Sequence, residues 1–216
     1  MSRIGRLFGR FRTTARSDST ERKESSTIGW IVAGLGNPGK DYAGSPHNSG
    51  FLVLDRLAAA RRAEFSKRRF GGVTLETELA GERAILIKPQ TYYNKSGECL
   101  AGLLGYFKVP PSRLIVVHDE MDLERGRIRI KSGGADAGNR GVRSVVEALA
   151  TADFIRVRIG IGHPGGSDES RDYLLRSMHP DEARDFSATL DRAAEAVEAI
   201  ASEGLERAMG RFNQRK

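Results

Sequence analysis

The chain is poor in the residues that bind metals or attack substrates covalently. Its one cysteine, Cys99, can form neither an internal disulfide nor a thiolate metal cluster, which suits a reducing compartment. Cys99 falls within an apolar helical pattern and is predicted to lie in the core. The four histidines lack the H-x-H and H-E-x-x-H spacings of metal sites, and no G-x-S-x-G elbow occurs. The sequence therefore argues against a metalloenzyme and against a covalent nucleophile.

Long apolar runs are also missing. No run approaches the roughly 18 residues that a membrane span needs. The N-terminus lacks the continuous apolar segment of a secretory signal. We therefore expect a cytoplasmic protein that does not contact a membrane.

The charge is strongly unbalanced. The 216 residues carry 35 Lys and Arg against 28 Asp and Glu, a net charge of +7, which favours a polyanionic partner such as nucleic acid. Part of the excess lies in residues 1–29, where seven basic side chains face three acidic ones. We predict a basic, disordered extension over 1–29 and a folded domain over 30–213. A basic anchor for RNA or another surface and an organellar transit peptide are the alternatives for the extension; its three acidic residues count against the transit peptide.

Hydrophobic periodicity predicts alternating strands and helices. Leu114–Val117 is a continuous apolar run, as expected for a strand buried on both faces. Residues 73–79 and 84–87 flank Gly81 and predict an antiparallel hairpin. Further strands are predicted at 31–33, 128–130 and 155–161, and helices from near 48, from a Ser96 cap to 107, at 142–149 and at 180–201. The fold class is α/β: a single domain with a mixed, mainly parallel twisted sheet and helices on both faces.

A glycine-rich loop, Gly34-Leu35-Gly36-Asn37-Pro38-Gly39, follows the first strand and looks like a dinucleotide fingerprint. In a true fingerprint the loop opens a helix at once, so that the free N–H groups of the helix meet the pyrophosphate. Here Pro38, Gly39 and Pro46 precede the helical pattern, and the acidic residue about twenty positions on, Asp55, would lie inside that helix. A nucleotide-dependent enzyme is therefore the least favoured function.

Polar side chains collect where the predicted strands end. Asn37, the His118-Asp119 pair and His163 each follow a strand, and His47, Asn94 and the 132–141 loop lie in connections near the same edge. One histidine, one carboxylate and two amides can hydrolyse an ester through activated water: the imidazole takes a proton, the carboxylate fixes its tautomer, and the amides stabilise the oxyanion. Each residue also has a structural reading, as turn former, loop residue or strand terminator.

Five ordered motifs resemble bacterial peptidyl-tRNA hydrolase. They are Gly34-Leu35-Gly36-Asn37-Pro38-Gly39 with Tyr42, His47-Asn48-Ser49-Gly50, Lys88-Pro89-x-Thr91-Tyr92-Tyr93-Asn94-x-Ser96-Gly97, His118-Asp119-Glu120-x-Asp122-Leu123, and Arg158-Ile159-Gly160-Ile161-Gly162-His163-Pro164. The resemblance spans about residues 30–213. It implies a carboxylic-ester hydrolase (EC 3.1.1.29) that cleaves peptidyl-tRNA and recycles tRNA during translation, with no metal or organic cofactor.

The resemblance also implies roles for single residues. His47 matches the catalytic base, Asp119 the carboxylate that holds it, and Asn37 and Asn94 the amides around the peptide carbonyl and the water. Residues that match the tRNA-binding positions are Tyr42, Tyr92, Asn94, Asn139, Arg140, Lys131 and Arg158, of which Lys131 and Arg158 form a clamp for the terminal phosphate. The implied partner is the tRNA acceptor end, with ribosome-associated RNA as a further partner, and the implied state is a monomer.

Two departures from the family pattern stand out. The family usually carries Met where this chain has Tyr93, which we interpret as a bulkier, more polar wall of the peptide channel. Its loop usually reads G-G-H-N-G, and here Asn139 and Arg140 replace the His and Asn. Arg140 could grip phosphate or repel a protonated His47. The alternative function is therefore a catalytically altered or inactive paralog that binds tRNA or other RNA.

Overall fold

A computed structural model describes residues 27–163 and 172–214. The predicted extension over 1–29 lies outside the described residues except for its last three positions. Of these, Ile28 is buried and the Gly29 N–H donates to the carbonyl of Arg83 at 2.8 Å. The core therefore includes Ile28, just before the predicted boundary at residue 30.

Seven strands of the described residues form one sheet in the order β2-β3-β4-β1-β5-β7-β6. The strands are β1 Trp30–Gly34, β2 Lys67–Arg69, β3 Gly72–Leu79, β4 Glu82–Pro89, β5 Leu114–Glu120, β6 Ile128–Ser132 and β7 Ile155–Gly160. The central strands β4, β1, β5 and β7 run parallel, whereas β2, β3 and β6 join at the edges by antiparallel pairing. The predicted mixed α/β sheet is confirmed.

Helices cover both faces of this sheet. They are α1 Ser49–Ala60, α2 Ser96–Phe107, α3 Arg140–Leu149, α4 Pro180–Glu203 and α5 Leu205–Phe212. The helices α1, α4 and α5 pack on one face, and α2 and α3 pack on the other. In the described part of the chain no helix has the length and apolar content needed to cross a membrane.

Successive side chains of a strand point to opposite faces, so one sheet contributes to two hydrophobic cores. In β5, Ile115 and Val117 face the α1 side, while Leu114 and Val116 face the α2 side. All four side chains are fully buried. A strand buried on both faces reads as a continuous apolar run, so this prediction from the sequence is confirmed.

Three details of the local structure differ from prediction. The short strand β2 was not predicted, because Lys67–Arg69 has no apolar pattern and exists only through pairing with β3. The helix α5 was not predicted either; it buries Ala208 and Phe212 after a break at Gly204. The predicted Ser96 cap is wrong: α2 begins at Ser96 itself, and its hydroxyl donates back to the carbonyl of Tyr93 at 2.9 Å.

A close approach of backbone to backbone positions the start of α1. A Cβ atom on Gly50 would lie 2.4 Å from the Val117 carbonyl oxygen and 2.5 Å from the backbone of Leu35. Only glycine allows α1 to begin directly against the ends of β1 and β5. The turn before α1, Pro46–Asn48, is thereby held beside the end of β5.

Candidate active site

A cleft of about 690 Å³ opens beyond the carboxyl ends of the central strands. It is lined by Asn37, Tyr42, His47, Tyr92, Tyr93, Asn94, Asp119, Glu120, Met121, Ala137, Gly138, Asn139, Arg140, Leu174 and Leu175. This set contains every residue proposed from the sequence as catalytic, including Asn94. It also contains four further residues proposed to bind tRNA: Tyr42, Tyr92, Asn139 and Arg140. Parallel strands deliver their functional residues to this edge in open α/β sheets, as expected.

His47 and Asp119 form the polar centre of the cleft. The His47 Nδ1 lies 2.9 Å from Asp119 Oδ2. Because a carboxylate can only accept, Nδ1 carries the proton and Nε2 is the ring nitrogen left for a water molecule. The short helical turn before α1 presents His47, and the last residues of β5 present Asp119.

Asp119 keeps its charge although it is only 3% exposed. Burial by itself raises the pKa of the carboxyl group, but the neighbouring His47 and the hydrogen bonds from His47 and Tyr93 outweigh it. The pKa of Asp119 therefore lies below its usual value. An ionised Asp119 can hold the His47 tautomer and can stabilise an imidazolium if His47 takes up a proton.

Tyr93 is the neighbour that connects these groups. Its hydroxyl donates to Asp119 Oδ1 at 2.7 Å, and its ring stacks on the His47 imidazole with centroids 3.6 Å apart. Burial, followed by the charge of Asp119, raises the pKa of Tyr93 well above its usual value, so the hydroxyl stays a donor. Asn139 Nδ2 donates to the same hydroxyl at 3.0 Å.

Asn37 is fixed by two neighbours. Its Oδ1 accepts the Tyr93 N–H at 2.9 Å, which leaves its NH₂ group as a donor. Asn48 holds the backbone of Asn37 from both sides: Asn48 Oδ1 accepts the Asn37 N–H at 2.8 Å, and Asn48 Nδ2 donates to the Asn37 carbonyl at 3.0 Å. An immobilised amide next to His47 is suited to stabilise a developing oxyanion.

The rim of the cleft carries the more exposed predicted residues. Tyr92 is 65% exposed, Tyr42 is half-buried, and Asn94 is exposed in the helical turn before α2. Arg140 is exposed at the first position of α3, directly after the N-cap Asn139. The rim therefore offers two aromatic rings and a cation to a ligand.

Lys131 and Arg158 lie outside the cleft lining. Lys131 pairs across β6 and β7 with Arg156, so Lys131, Arg156 and Arg158 share one face of the sheet. Arg156 donates to the carbonyls of Gly133 and Ala135 and so supports the loop that leads to α3. Arg158 is held by Glu120 through bonds of 3.0 and 2.8 Å. The residues proposed as a phosphate clamp thus belong to a basic strip, formed by Lys131, Arg156 and Arg158, that lies beside the cleft.

Comparison with known proteins decides the family. The family model described as peptidyl-tRNA hydrolase matches residues 31–216. The chain belongs to the peptidyl-tRNA hydrolase family. The resemblance inferred from the motifs is confirmed, and with it the hydrolase class.

Known peptidyl-tRNA hydrolases match this chain along most of their own length. The chain is 45% identical to peptidyl-tRNA hydrolase of Frankia casuarinae over 85% of this chain and 93% of the relative. It is 43% identical to that of Trichlorobacter lovleyi over 86% and 95%. The crystal structure of the enzyme from Acinetobacter baumannii, 30% identical, superposes with a TM-score of 0.81 over 88% of this chain and 98% of that one.

Sequence reasoning missed several residues of this peptidyl-tRNA hydrolase site. The role of Asn48 had one signal, its position directly after His47 in the motif. The contact of Tyr93 with Asp119 had no signal, because Tyr93 departs from the family pattern and no motif connects it to Asp119. The apolar wall from Met121, Leu174 and Leu175 was not predicted, because side chains of ordinary hydrophobic type carry no functional pattern.

Proposed function

We propose that His47 is the general base with which this chain hydrolyses the ester between peptide and tRNA. The observation that carries the proposal is the bond between His47 Nδ1 and the buried, ionised Asp119. His47 Nε2 takes a proton from water as the water oxygen attacks the ester carbon. The C–O bond to the terminal ribose then breaks, and the imidazolium returns the proton to the leaving ribose oxygen. The products are free peptide and tRNA.

The amides complete the reaction site. The NH₂ group of Asn37 is free to donate to the oxyanion, because its oxygen is bound to the Tyr93 N–H. Asn94 lines the rim of the cleft, and its proposed role is to orient the peptide carbonyl or the water. A single donor of this kind contributes roughly 10²–10³ in rate in enzymes that form an oxyanion.

The acceptor end of tRNA is the proposed partner. Tyr42 and Tyr92 offer ring faces on which unpaired bases can stack. Asn139 and Arg140 extend the site at the start of α3, and Lys131 with Arg158 supplies the proposed contact to the terminal phosphate. We further propose that the chain acts as a monomer in the cytoplasm, where its substrate arises, and that ribosome-associated RNA is a further partner.

Single-turnover hydrolysis of N-acetyl-aminoacyl-tRNA, with EDTA present throughout, tests the reaction. Wild type is expected to release the acyl group, and His47→Ala to lose about 10²–10⁴ in rate. The matched control is His179→Asn, an exposed histidine at the N-cap of α4 whose Nδ1 accepts the Asp181 N–H, a bond that the side-chain oxygen of asparagine can accept instead. If wild type binds tRNA without turnover, and His47→Ala binds equally well, the hydrolase mechanism fails and an RNA-binding role replaces it.

The same assay on an Asn139→His/Arg140→Asn variant tests the altered loop. If this variant gains activity that wild type lacks, the scaffold is intact and the loop has redirected it. If both hydrolyse at comparable rates, the loop substitutions only tune the enzyme. Equilibrium binding of NAD or ATP provides a cheap test of the least favoured function.

A further inference from the structure

Tyr93 and Asn139, two positions that depart from the family pattern, are hydrogen-bonded to each other. The amide of Asn139 donates to the Tyr93 hydroxyl at 3.0 Å and to the Asp119 carbonyl at 3.1 Å. The Tyr93 hydroxyl in turn donates a hydrogen bond to Asp119 Oδ1. The two departures thus converge on the residue that holds His47.

The side-chain amide of Asn139 cannot rotate so as to exchange its oxygen and NH₂ positions in this arrangement. Its Oδ1 accepts the Val142 N–H at 3.0 Å as the N-cap of α3, so the NH₂ group must face Tyr93. The ring of Tyr93 is equally confined. A Cβ atom on Gly141 would lie only 2.3 Å from the Tyr93 ring. The first turn of α3 therefore sets both the ring and the hydroxyl of Tyr93.

This arrangement gives the two oxygens of Asp119 different tasks. Oδ2 accepts from His47 and Oδ1 accepts from Tyr93. With both oxygens engaged, the carboxylate cannot rotate without breaking a charge-assisted hydrogen bond in a buried site. The ring face of Tyr93, stacked on His47 at an interplanar angle of 20°, holds the imidazole in the plane that reaches Asp119.

We propose that Tyr93 is a positioning residue for the reaction and that Asn139 sets its hydroxyl. Tyr93 acts through Asp119 and His47 and does not itself touch the reacting atoms. The inference rests on the proposed function for its kinetic consequences, but the coupling between Tyr93 and His47 is a property of the protein alone. It can therefore be tested without any substrate.

Tyr93→Phe removes the hydroxyl and keeps the stacked ring. We expect kcat to fall about tenfold, the effect of one hydrogen bond to a charged group, with KM nearly unchanged. The acid limb of the pH profile should move to higher pH, because an Asp119 that no longer shares its charge with a hydroxyl stabilises protonated His47 more strongly. The matched control is Tyr106→Phe, an exposed tyrosine on α2.

The other titratable groups around this site are unchanged in Tyr93→Phe. They are His118, Asp119 and Glu120 on β5, Arg158 on β7 and Arg140 on α3. Arg158 is paired with Glu120, and His118 donates to the Asp119 carbonyl. A shift seen in Tyr93→Phe and absent in Tyr106→Phe therefore reports the missing hydroxyl.

A double-mutant cycle tests the part of Asn139. Asn139→Ser keeps an oxygen for the N-cap of α3 but loses the donor to Tyr93. Alone it is expected to lower kcat about threefold, less than the loss of a full hydrogen bond to a charged group. In the Tyr93→Phe background it should change kcat little. Independent, multiplicative losses would overturn the proposed coupling.

NMR titration of the His47 ring in wild type and Tyr93→Phe separates this inference from the proposed function. Different titration midpoints in the two proteins would support the coupling even if wild type proved inactive. Superimposable titrations together with an unchanged kcat would overturn it. Should Tyr93→Phe fold poorly, Asn139→Ser alone still tests the coupling, because it leaves the ring in place.

Discussion

The guanidinium of Arg158 donates two hydrogen bonds to one oxygen of Glu120, from Nε at 3.0 Å and from Nη2 at 2.8 Å. The two side chains are only 13% and 4% exposed. A largely buried ion pair is sensitive to the loss of one partner, because the other charge is left uncompensated. Arg158 therefore has a structural task within the sheet as well as its proposed contact to phosphate.

Removing Arg158 should destabilise the protein. We expect Arg158→Met to lower the free energy of unfolding by about 3 kcal/mol, since Glu120 stays buried without its partner. The double variant Arg158→Met/Glu120→Leu should regain most of this loss, because no charge is then left in the interior. Urea unfolding of the three proteins measures both effects.

Arg184→Met is the control for this series. Arg184 is 75% exposed in its pair with Asp181, so its removal should leave the unfolding midpoint nearly unchanged. If Arg158→Met proves as stable as wild type and only tRNA binding weakens, the structural interpretation of Arg158 is wrong.

Acid is expected to weaken the folded state through His118. This residue is fully buried, and burial lowers its pKa to about 4. The unfolded chain takes up the same proton near pH 6.5. Between about pH 6.5 and 4 the unfolded state thus binds more protons, and stability decreases as the pH falls, by about 3 kcal/mol at pH 4.

Comparing wild type with His118→Asn from pH 7 to pH 4 isolates this contribution. The variant should lose less unfolding free energy over the interval, whatever its stability at pH 7. Asp119 contributes in a lower window: its pKa is lowered on folding, so its contribution is present above its unfolded pKa, about 3.9, and is lost only as the pH falls further. Equal pH slopes for the two proteins would contradict a neutral, buried His118.

The central elements of the fold could be predicted from the sequence because their signals are local. The apolar run Leu114–Val117 defines β5, and the helical spacing of Leu190, Ala194 and Val197 defines the inner face of α4. The strand β2 could not be predicted, because pairing with β3 creates it and its own residues give no pattern.

The candidate site also contains residues that could be predicted from the sequence and contacts that could not. His47, Asp119, Asn37 and Asn94 follow from their motifs, and the structure brings all four to one cleft. Tyr93 was predicted only as a wall of the peptide channel. Its bonds to Asp119 and Asn139 depend on how β5 and α3 approach the turn before α2, which no local pattern encodes.

Gly141→Ala should damage both stability and activity. The added methyl group would lie 2.3 Å from the Tyr93 ring, which cannot move away without leaving His47. We expect a loss of about 2 kcal/mol in unfolding free energy, typical of overpacking. A fall in kcat should accompany it. Thermal melts and the hydrolysis assay measure the two effects.

Gly105→Ala provides the matched control within a helix. A Cβ atom on Gly105 meets no atom within 4 Å, so alanine there should stabilise α2 by up to about 1 kcal/mol and leave kcat unchanged. If Gly141→Ala behaves like Gly105→Ala, the close packing of Tyr93 against α3 does not matter for the enzyme.

Asn48→Ala should impair the enzyme without touching a proposed catalytic group. Its side chain satisfies both the N–H and the carbonyl of Asn37, which lie in a buried turn. Losing both partners should destabilise the fold by about 2 to 4 kcal/mol and lower kcat by releasing Asn37. Asn48→Asp keeps the acceptor for the Asn37 N–H but sets a second carboxylate oxygen against the Asn37 carbonyl, so we expect it to be at least as harmful as alanine. If either variant is as stable and active as wild type, Asn48 does not hold Asn37.

Arg140 is expected to bind the phosphate backbone of tRNA. It is exposed at the first position of α3 and lines the cleft. Arg140→Gln should raise KM and leave kcat nearly unchanged, because the guanidinium acts in binding and not in the chemical step. The dependence of log kcat/KM on log salt concentration should become shallower by about 0.7 for each single-strand phosphate that the protein no longer neutralises.

The matched control for Arg140→Gln is Arg68→Gln, on the exposed edge strand β2 and outside the cleft lining. It carries the same change in net charge, so any effect on long-range attraction of tRNA appears in both variants. A change in salt slope confined to Arg140→Gln would locate the phosphate at the rim of the cleft. Equal slopes in the two variants would mean that Arg140 contributes only to the general positive field of the protein. Substrate recognition would then depend on Tyr42, Tyr92 and the basic strip that contains Lys131 and Arg158, and the arginine at the position of the family asparagine would have no specific contact to phosphate.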